Sequence, residues 1–147
     1  MSEVRFYHLQ RSALEVALPK LLERIYGLPA RAVLLAGSEA RVEFLASHLW
    51  TYSADGFLPH GTPRDGRAAD QPIWMTTEPG NPNGATALVL VDGVDAPIDG
   101  FEMVFDIFDG RDDMAVEAAR NRYRNAKSAG HTLKYFQQTD RGWEQKA

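Results

Sequence analysis

Three cations near the C-terminal end, Arg120, Arg124 and Lys127, recur at spacings of four and three residues within DDMAVEAARNRYRNAKSAG, residues 112–130. At about 100° per residue of a helix, Arg124 lies about 40° to one side of Arg120 and Lys127 about 20° to the other, so the three form one stripe. Such a row recognises anions, through charge-assisted hydrogen bonds that arginine can make bidentate to a carboxylate or phosphate. Val116 lies about 40° from Arg120, an apolar residue beside the stripe, and Ala115, Ala119, Tyr123 and Ala126 centre about 120° away, where they would pack on a core. The acid nearest in the helix is Glu117, three residues before Arg120, and this reading sets it opposite the stripe. A solvated face is the common fate of helical charges. The shortage of acidic partners and the apolar neighbour weigh against it, toward a surface that anchors a short acidic, hydrophobic peptide, and the helix alone leaves both readings open.

Trp50 and Phe57 raise a second possibility, in the aromatic segment Leu49 to Gly61. Trp50 is either a core residue whose indole N–H needs a partner or one rim of a groove shared with Phe57. The residues leave both readings open.

Other chemistries lack their residues. Neither GxGxxG nor GxxxxGK[ST] occurs, and the turn after the second apolar run, AGSE, puts an acid where a phosphate would sit. Asp92 after ALVLV stands where a Walker-B acid would, but without a phosphate loop it reads as a turn residue. His8, His48, His60 and His131 include no pair three or four apart, so no helical metal pair exists. There is no cysteine and no GxSxG elbow. Asp112 and Asp113 are explained by capping the last helix. No catalytic, cofactor-binding or metal-binding set is expected; the alternative is a small nucleotide- or phosphate-binding α/β enzyme.

The elements that must position the stripe follow from periodicity. Val4–Leu9 reads as a strand, and Ser12 with Glu15 as a capping box opening a helix that ends at Gly27, with a kink or a late start at Pro19. Arg31–Ala36 is a second strand, apolar on both faces, followed by a helix from Glu39 to about Thr51 with Val42, Leu45, Ala46 and Leu49 inward. Residues 53–71 form a long loop. Strands follow at Pro72–Thr77, Ala85–Val91, Phe101–Phe108 and His131–Gln137, with the cationic helix between the last two and a frayed tail, RGWEQKA, at the end. The expectation is an α/β fold: a Rossmann-like open, mostly parallel sheet of about six strands with helices on both faces.

The 147 residues fit one domain, 1–147, and can bury a core without disulfide or metal. Net charge is −4, but residues 1–110 carry 8 Lys/Arg against 15 Asp/Glu and residues 111–147 carry 8 against 5. An acidic body with a local basic patch suits a small anionic partner better than duplex DNA. The N-terminus lacks a signal-peptide pattern and no apolar run approaches a membrane span, so a cytoplasmic location without membrane contact is expected.

Taken together, FYHL in the first strand, LWTYSADGFLPHG, DQPIW, and FDGRDD…AARNRYRNAKSAGHTL resemble the chi subunit of bacterial DNA polymerase III, from about Val4 to Trp143. The resemblance implies a Rossmann-like fold without a bound nucleotide, and a non-catalytic accessory subunit of the clamp-loader assembly. It further implies binding to the acidic C-terminal tail of single-stranded-DNA-binding protein, which ends in Ile-Pro-Phe and a free carboxylate, so that contact with DNA is mainly indirect. Carried over by position, the contact falls on Arg120, Arg124 and Trp50, with Phe57 and His60 at the F-x-P-H positions. Val116 stands where some relatives carry a basic residue, and Lys127 on the same stripe can compensate. Partnership with clamp-loader subunits follows; psi binding is compatible with the resemblance and not required by it.

Overall fold

In the computed structural model, residues 2–28, 30–52 and 58–147 are described, so Phe57 lies outside the described residues. The elements are β1 (Glu3–Leu9), α1 (Leu14–Gly27), β2 (Ala32–Leu35), α2 (Glu39–Thr51), β3 (Ile73–Thr76), β4 (Ala87–Leu90), β5 (Met103–Asp109), α3 (Asp113–Ser128), β6 (Thr132–Thr139) and β7 (Gly142–Gln145). They build one open seven-stranded sheet in the order β3-β2-β4-β5-β1-β6-β7. Pairing is parallel from β3 through β6, and β7 joins β6 antiparallel.

Every residue of β2, β3 and β4 is buried, which is why β2 and β4 read as continuous apolar runs rather than alternating ones. Alternate side chains feed two buried clusters. The first takes Leu34 together with Leu18, Leu22 and Ile25 of α1 and Val42, Leu45 and Leu49 of α2. The second takes Val33 and Leu35 with Ala119 and Ala126 of α3.

Three details depart from the sequence reading, and at Pro19 one of its two alternatives is removed. The C-terminal residues are not a frayed tail: Gly142–Gln145 form β7, making seven strands rather than six. Trp143 explains the difference, since its ring meets Tyr7 edge-on at 5.0 Å and gives the last strand an apolar anchor. Ser12 does not cap α1; the N-cap is Ala13, with no side-chain bond, and Ser12 Oγ instead accepts from Gln138 Nε2 at 2.7 Å. Gly27 is the last residue of α1 rather than a left-handed terminator, and the Leu28 N–H closes the turn on the Ile25 carbonyl. Pro19 is buried inside a helix that runs through it from Leu14, so it does not set the start.

Candidate anion-binding groove

The last helix is specified at both ends. Asp112 Oδ1 accepts from the Met114 and Ala115 N–H groups at 3.0 and 3.4 Å, and its charge complements the helix dipole. At the other end Gly130 adopts φ +87°, a left-handed conformation that a side chain would strain, and its N–H returns to the Lys127 carbonyl at 3.1 Å. On the inner face Ala119 and Ala126 are buried, and the half-buried Tyr123 packs its ring 5.3 Å from that of Phe6.

Arg122, on the same inner side, makes two hydrogen bonds to Asp106 of β5, from Nε to Oδ2 at 2.6 Å and from Nη2 to Oδ1 at 3.0 Å. Both side chains are nearly enclosed, 10% and 4% exposed, so this pair ties the helix to the middle of the sheet. Burial pushes the Asp106 carboxyl above its ordinary range while the guanidinium pulls it back. No motif marks this pair in the sequence, although two features hint at it: Arg122 sits about 200° from Arg120 on the helix, off the stripe, and Asp106 interrupts the apolar run of residues 103–108.

On the outer face Arg120, Arg124 and Lys127 are exposed. Val116 is half-buried and packs on the second cluster, so it gives the stripe less apolar surface than expected. Glu117 is not opposite the stripe. It lies about 20° from Arg124 on the helix, and its carboxylate is 4.0 Å from both Arg120 and Arg124. Arg124 Nη2 also donates to Asn121 Oδ1.

Between α3 and β6 these arginines border a groove of about 310 Å³ lined by Arg120, Tyr123, Arg124, Tyr135 and Ala147. The apolar surface beside the cations is therefore aromatic: Tyr123 and Tyr135 have ring centroids 6.4 Å apart. The Tyr135 hydroxyl is hydrogen-bonded to His8 Nδ1. Burial raises the Tyr135 phenol above its ordinary value, with Arg120 opposing. Burial lowers His8, reinforced by the Arg120 charge and opposed by a hydrogen bond with the Gly110 backbone and by Asp109. By sequence Tyr135 is simply a strand residue; its place in the groove needs β6 beside α3, which no local pattern records. Ala147 completes the wall, held beside β6 by the Lys146 N–H, which donates to the Tyr135 carbonyl at 2.7 Å, and by the Tyr135 N–H, which donates to Ala147 O at 3.2 Å.

Trp50 is elsewhere. It lies in the last turn of α2, which packs on α1 and the β3 edge, whereas α3 packs on β5, β1 and β6. Four strand steps from β3 to β1 put on the order of 20 Å between the two regions. Trp50 is 53% exposed, with its ring 4.3 Å from that of His60. His60 is buried between the Leu58 and Ala46 carbonyls at 2.7 and 3.0 Å, where it holds the segment after the loop against α2. The arginine stripe and Trp50 are thus not one surface.

The carboxyl ends of β1, β4 and β5 open on a cavity of about 500 Å³ that includes Arg41, Arg111 and Arg122. This is where open α/β sheets take ligands, but here each guanidinium already faces a carboxylate: Arg41–Asp92 at 3.2 Å, Arg111–Asp109 at 3.2 Å and Arg122–Asp106 at 2.6 Å. The turn N–H groups are occupied as well. Gln138 Oε1 accepts from Gln10, Arg11 and Ser12 at 3.1, 2.7 and 3.1 Å, and Asp92 Oδ2 accepts from Gly37 at 3.1 Å. Among the described residues no group of His, Cys, Asp and Glu is placed to hold a metal ion, and no helix is long and apolar enough to cross a membrane.

Comparison with known proteins gives this geometry a family. Residues 1–134 match the family model described as DNA polymerase III chi subunit, HolC. The chain is also similar to a protein of Rickettsia prowazekii (strain Madrid E) named "Probable DNA polymerase III subunit chi", 36% identical over 95 residues, or 65% of this chain and 58% of the relative. The match therefore spans less than two-thirds of that relative's length. The residues that build the groove's cationic wall, the aromatic Tyr123 and the helix that carries them all fall inside the matched region; the chain belongs to the DNA polymerase III chi subunit family.

Proposed function

We propose that this chain is a non-catalytic accessory subunit of the DNA polymerase III holoenzyme, working in the cytoplasm as a single domain. In this reading it links the clamp loader to the acidic C-terminal tail of single-stranded-DNA-binding protein. One observation carries the tail-binding reading: two exposed arginines border a groove floored by two tyrosines. A peptide with several carboxylates and a terminal Phe matches both halves of that arrangement. Each exposed ion pair contributes under about 1 kcal/mol, so the aromatic contact and any bidentate arginine–carboxylate pair supply most of the affinity. Lys127 extends the cationic side toward the end of α3, and Val116, half-buried against the core, supports the helix beneath the stripe.

An adaptor needs a second surface. We assign Trp50, half exposed at the far end of the sheet, to contact with the clamp-loader side, together with Phe57 seven residues on in the sequence; psi is one candidate partner there. We further read the two core clusters as the two faces of a Rossmann-like sheet, with α1 and α2 on one and α3 on the other. The nucleotide-binding alternative is not favoured, because the chain's own oxygens occupy the guanidinium and turn N–H groups of the strand-end cavity.

The test is a titration of a labelled acidic peptide ending in Ile-Pro-Phe against the wild type, Arg124→Ala and Tyr135→Ala. Both variants should weaken binding, and removing the terminal Phe from the peptide should weaken it most. Equal affinity for all three proteins would overturn the assignment of the groove.

A further inference from the structure

Glu117 divides its carboxylate between the two groove arginines, Oε2 lying 4.0 Å from Arg120 Nη1 and Oε1 4.0 Å from Arg124 Nη2. The three side chains are 63%, 67% and 62% exposed, so Glu117 is not held there by burial. Nor does it cap the helix, since Asp112 does that. Any anion approaching the arginines meets this resident negative charge.

The resident charge weighs differently on different ligands. Arginines beside aromatic rings are also the constellation that takes single-stranded nucleic acid, with phosphates on the cations and bases stacked on the rings. Binding of that kind draws much of its strength from neutralised phosphates, so a fixed carboxylate between the arginines opposes it directly. An acidic peptide loses the same Coulomb attraction per charge, but it keeps the part of its affinity that comes from seating an apolar side chain on Tyr123 and Tyr135. Discrimination is a difference of affinities, and a repulsive element that penalises one ligand more than the other produces it.

We propose that Glu117 is a specificity-determining residue: an internal counter-ion that keeps the arginine–tyrosine groove from taking single-stranded nucleic acid and reserves it for an acidic peptide with an apolar end. The proposal rests on the peptide-binding reading of the same groove. It adds that the groove is tuned against the polyanion found wherever a replication subunit works.

The experiment uses the full chain as wild type, Glu117→Gln and Glu78→Gln. The last changes the net charge equally at an exposed position just past β3, at the opposite edge of the sheet. Each is titrated with a fluorescent oligo(dT) strand and with the acidic peptide ending in Ile-Pro-Phe, at the same low salt. Glu117→Gln should raise peptide affinity by roughly two- to fivefold, as expected for an exposed pair, and oligo(dT) affinity by a larger factor. Glu78→Gln should leave the ratio of the two affinities unchanged. A ratio that stays constant or moves toward the peptide in Glu117→Gln overturns the proposal, as does the same change of ratio in Glu78→Gln. If the wild type binds peptide and the ratio does not move, only the role of Glu117 is lost. If the wild type takes up no peptide, the peptide reading is lost and the proposal with it.

Discussion

Arg122 of α3 and Asp106 of β5 meet through two hydrogen bonds of 2.6 and 3.0 Å in a nearly enclosed setting. Through this pair a single buried carboxylate on an otherwise apolar face of β5 grips the helix whose opposite side carries the groove arginines. Removing one partner leaves a buried charge uncompensated. Asp106→Ala or Arg122→Ala should lower stability by about 3–5 kcal/mol. An apolar replacement of both residues should restore most of it, as read by urea or thermal denaturation.

The separation of Trp50 from α3 gives a different expectation from a single continuous site. Trp50→Ala should leave the affinity for the acidic tail peptide unchanged within about twofold, whereas Arg120→Ala should weaken it several-fold, in line with an exposed or partly bidentate contact. Fluorescence anisotropy with the labelled peptide distinguishes the two. Raising the salt from 50 to 500 mM, to use roughly a Debye length of 14 and 4 Å, should weaken the wild type far more than the Arg120 variant.

His8 makes stability depend on acid. Burial holds its folded-state pKa below the ordinary 6.5, so the unfolded chain takes up a proton first as pH falls. The neutral ring's contribution is therefore present above about pH 6.5 and is lost as pH drops through the folded value. The melting temperature should fall between pH 7 and pH 5, and His8→Gln should flatten that slope. An unchanged slope in the variant would remove His8 from the account.

Gly110 is required by close approach rather than by backbone conformation. A Cβ there would overlap the His8 ring and sit 2.6 Å from the Leu9 carbonyl oxygen, which accepts the Gly110 N–H at 2.7 Å. Gly110→Ala should destabilise the fold by about 1–3 kcal/mol, the usual range for overpacking. Because His8 holds the Tyr135 hydroxyl, the variant should also weaken the peptide. Paired melting and anisotropy measurements on the one variant test both effects.

The strand-end cavity carries its own expectation. With its guanidinium and turn N–H groups already engaged, ATP and NAD should produce no thermal shift in the wild type. A shift of several degrees would revive the nucleotide-binding alternative.

Local pattern was enough for six of the seven strands and for the cationic stripe. The buried runs of β2 and β4, the helix from Glu39 to Thr51 and the Asp112 and Gly130 ends of α3 all follow from residue types at short spacing, because burial period and capping are local properties. What stood out of reach was pairing across the chain. Trp143 turns a polar tail into β7 only by meeting Tyr7, and Gln138 displaces Ser12 from its expected cap only because β6 runs beside β1. The arginines could be read from α3 alone, but their aromatic floor joins Tyr123 to Tyr135, and the buried clasp joins Arg122 to Asp106 of another element. Sequence by itself determined that this helix carries two arginines and a lysine in one exposed stripe. Only the tertiary structure decided that tyrosines, not Trp50, lie beside them, because the order of strands in the sheet sets which distant segments share a surface.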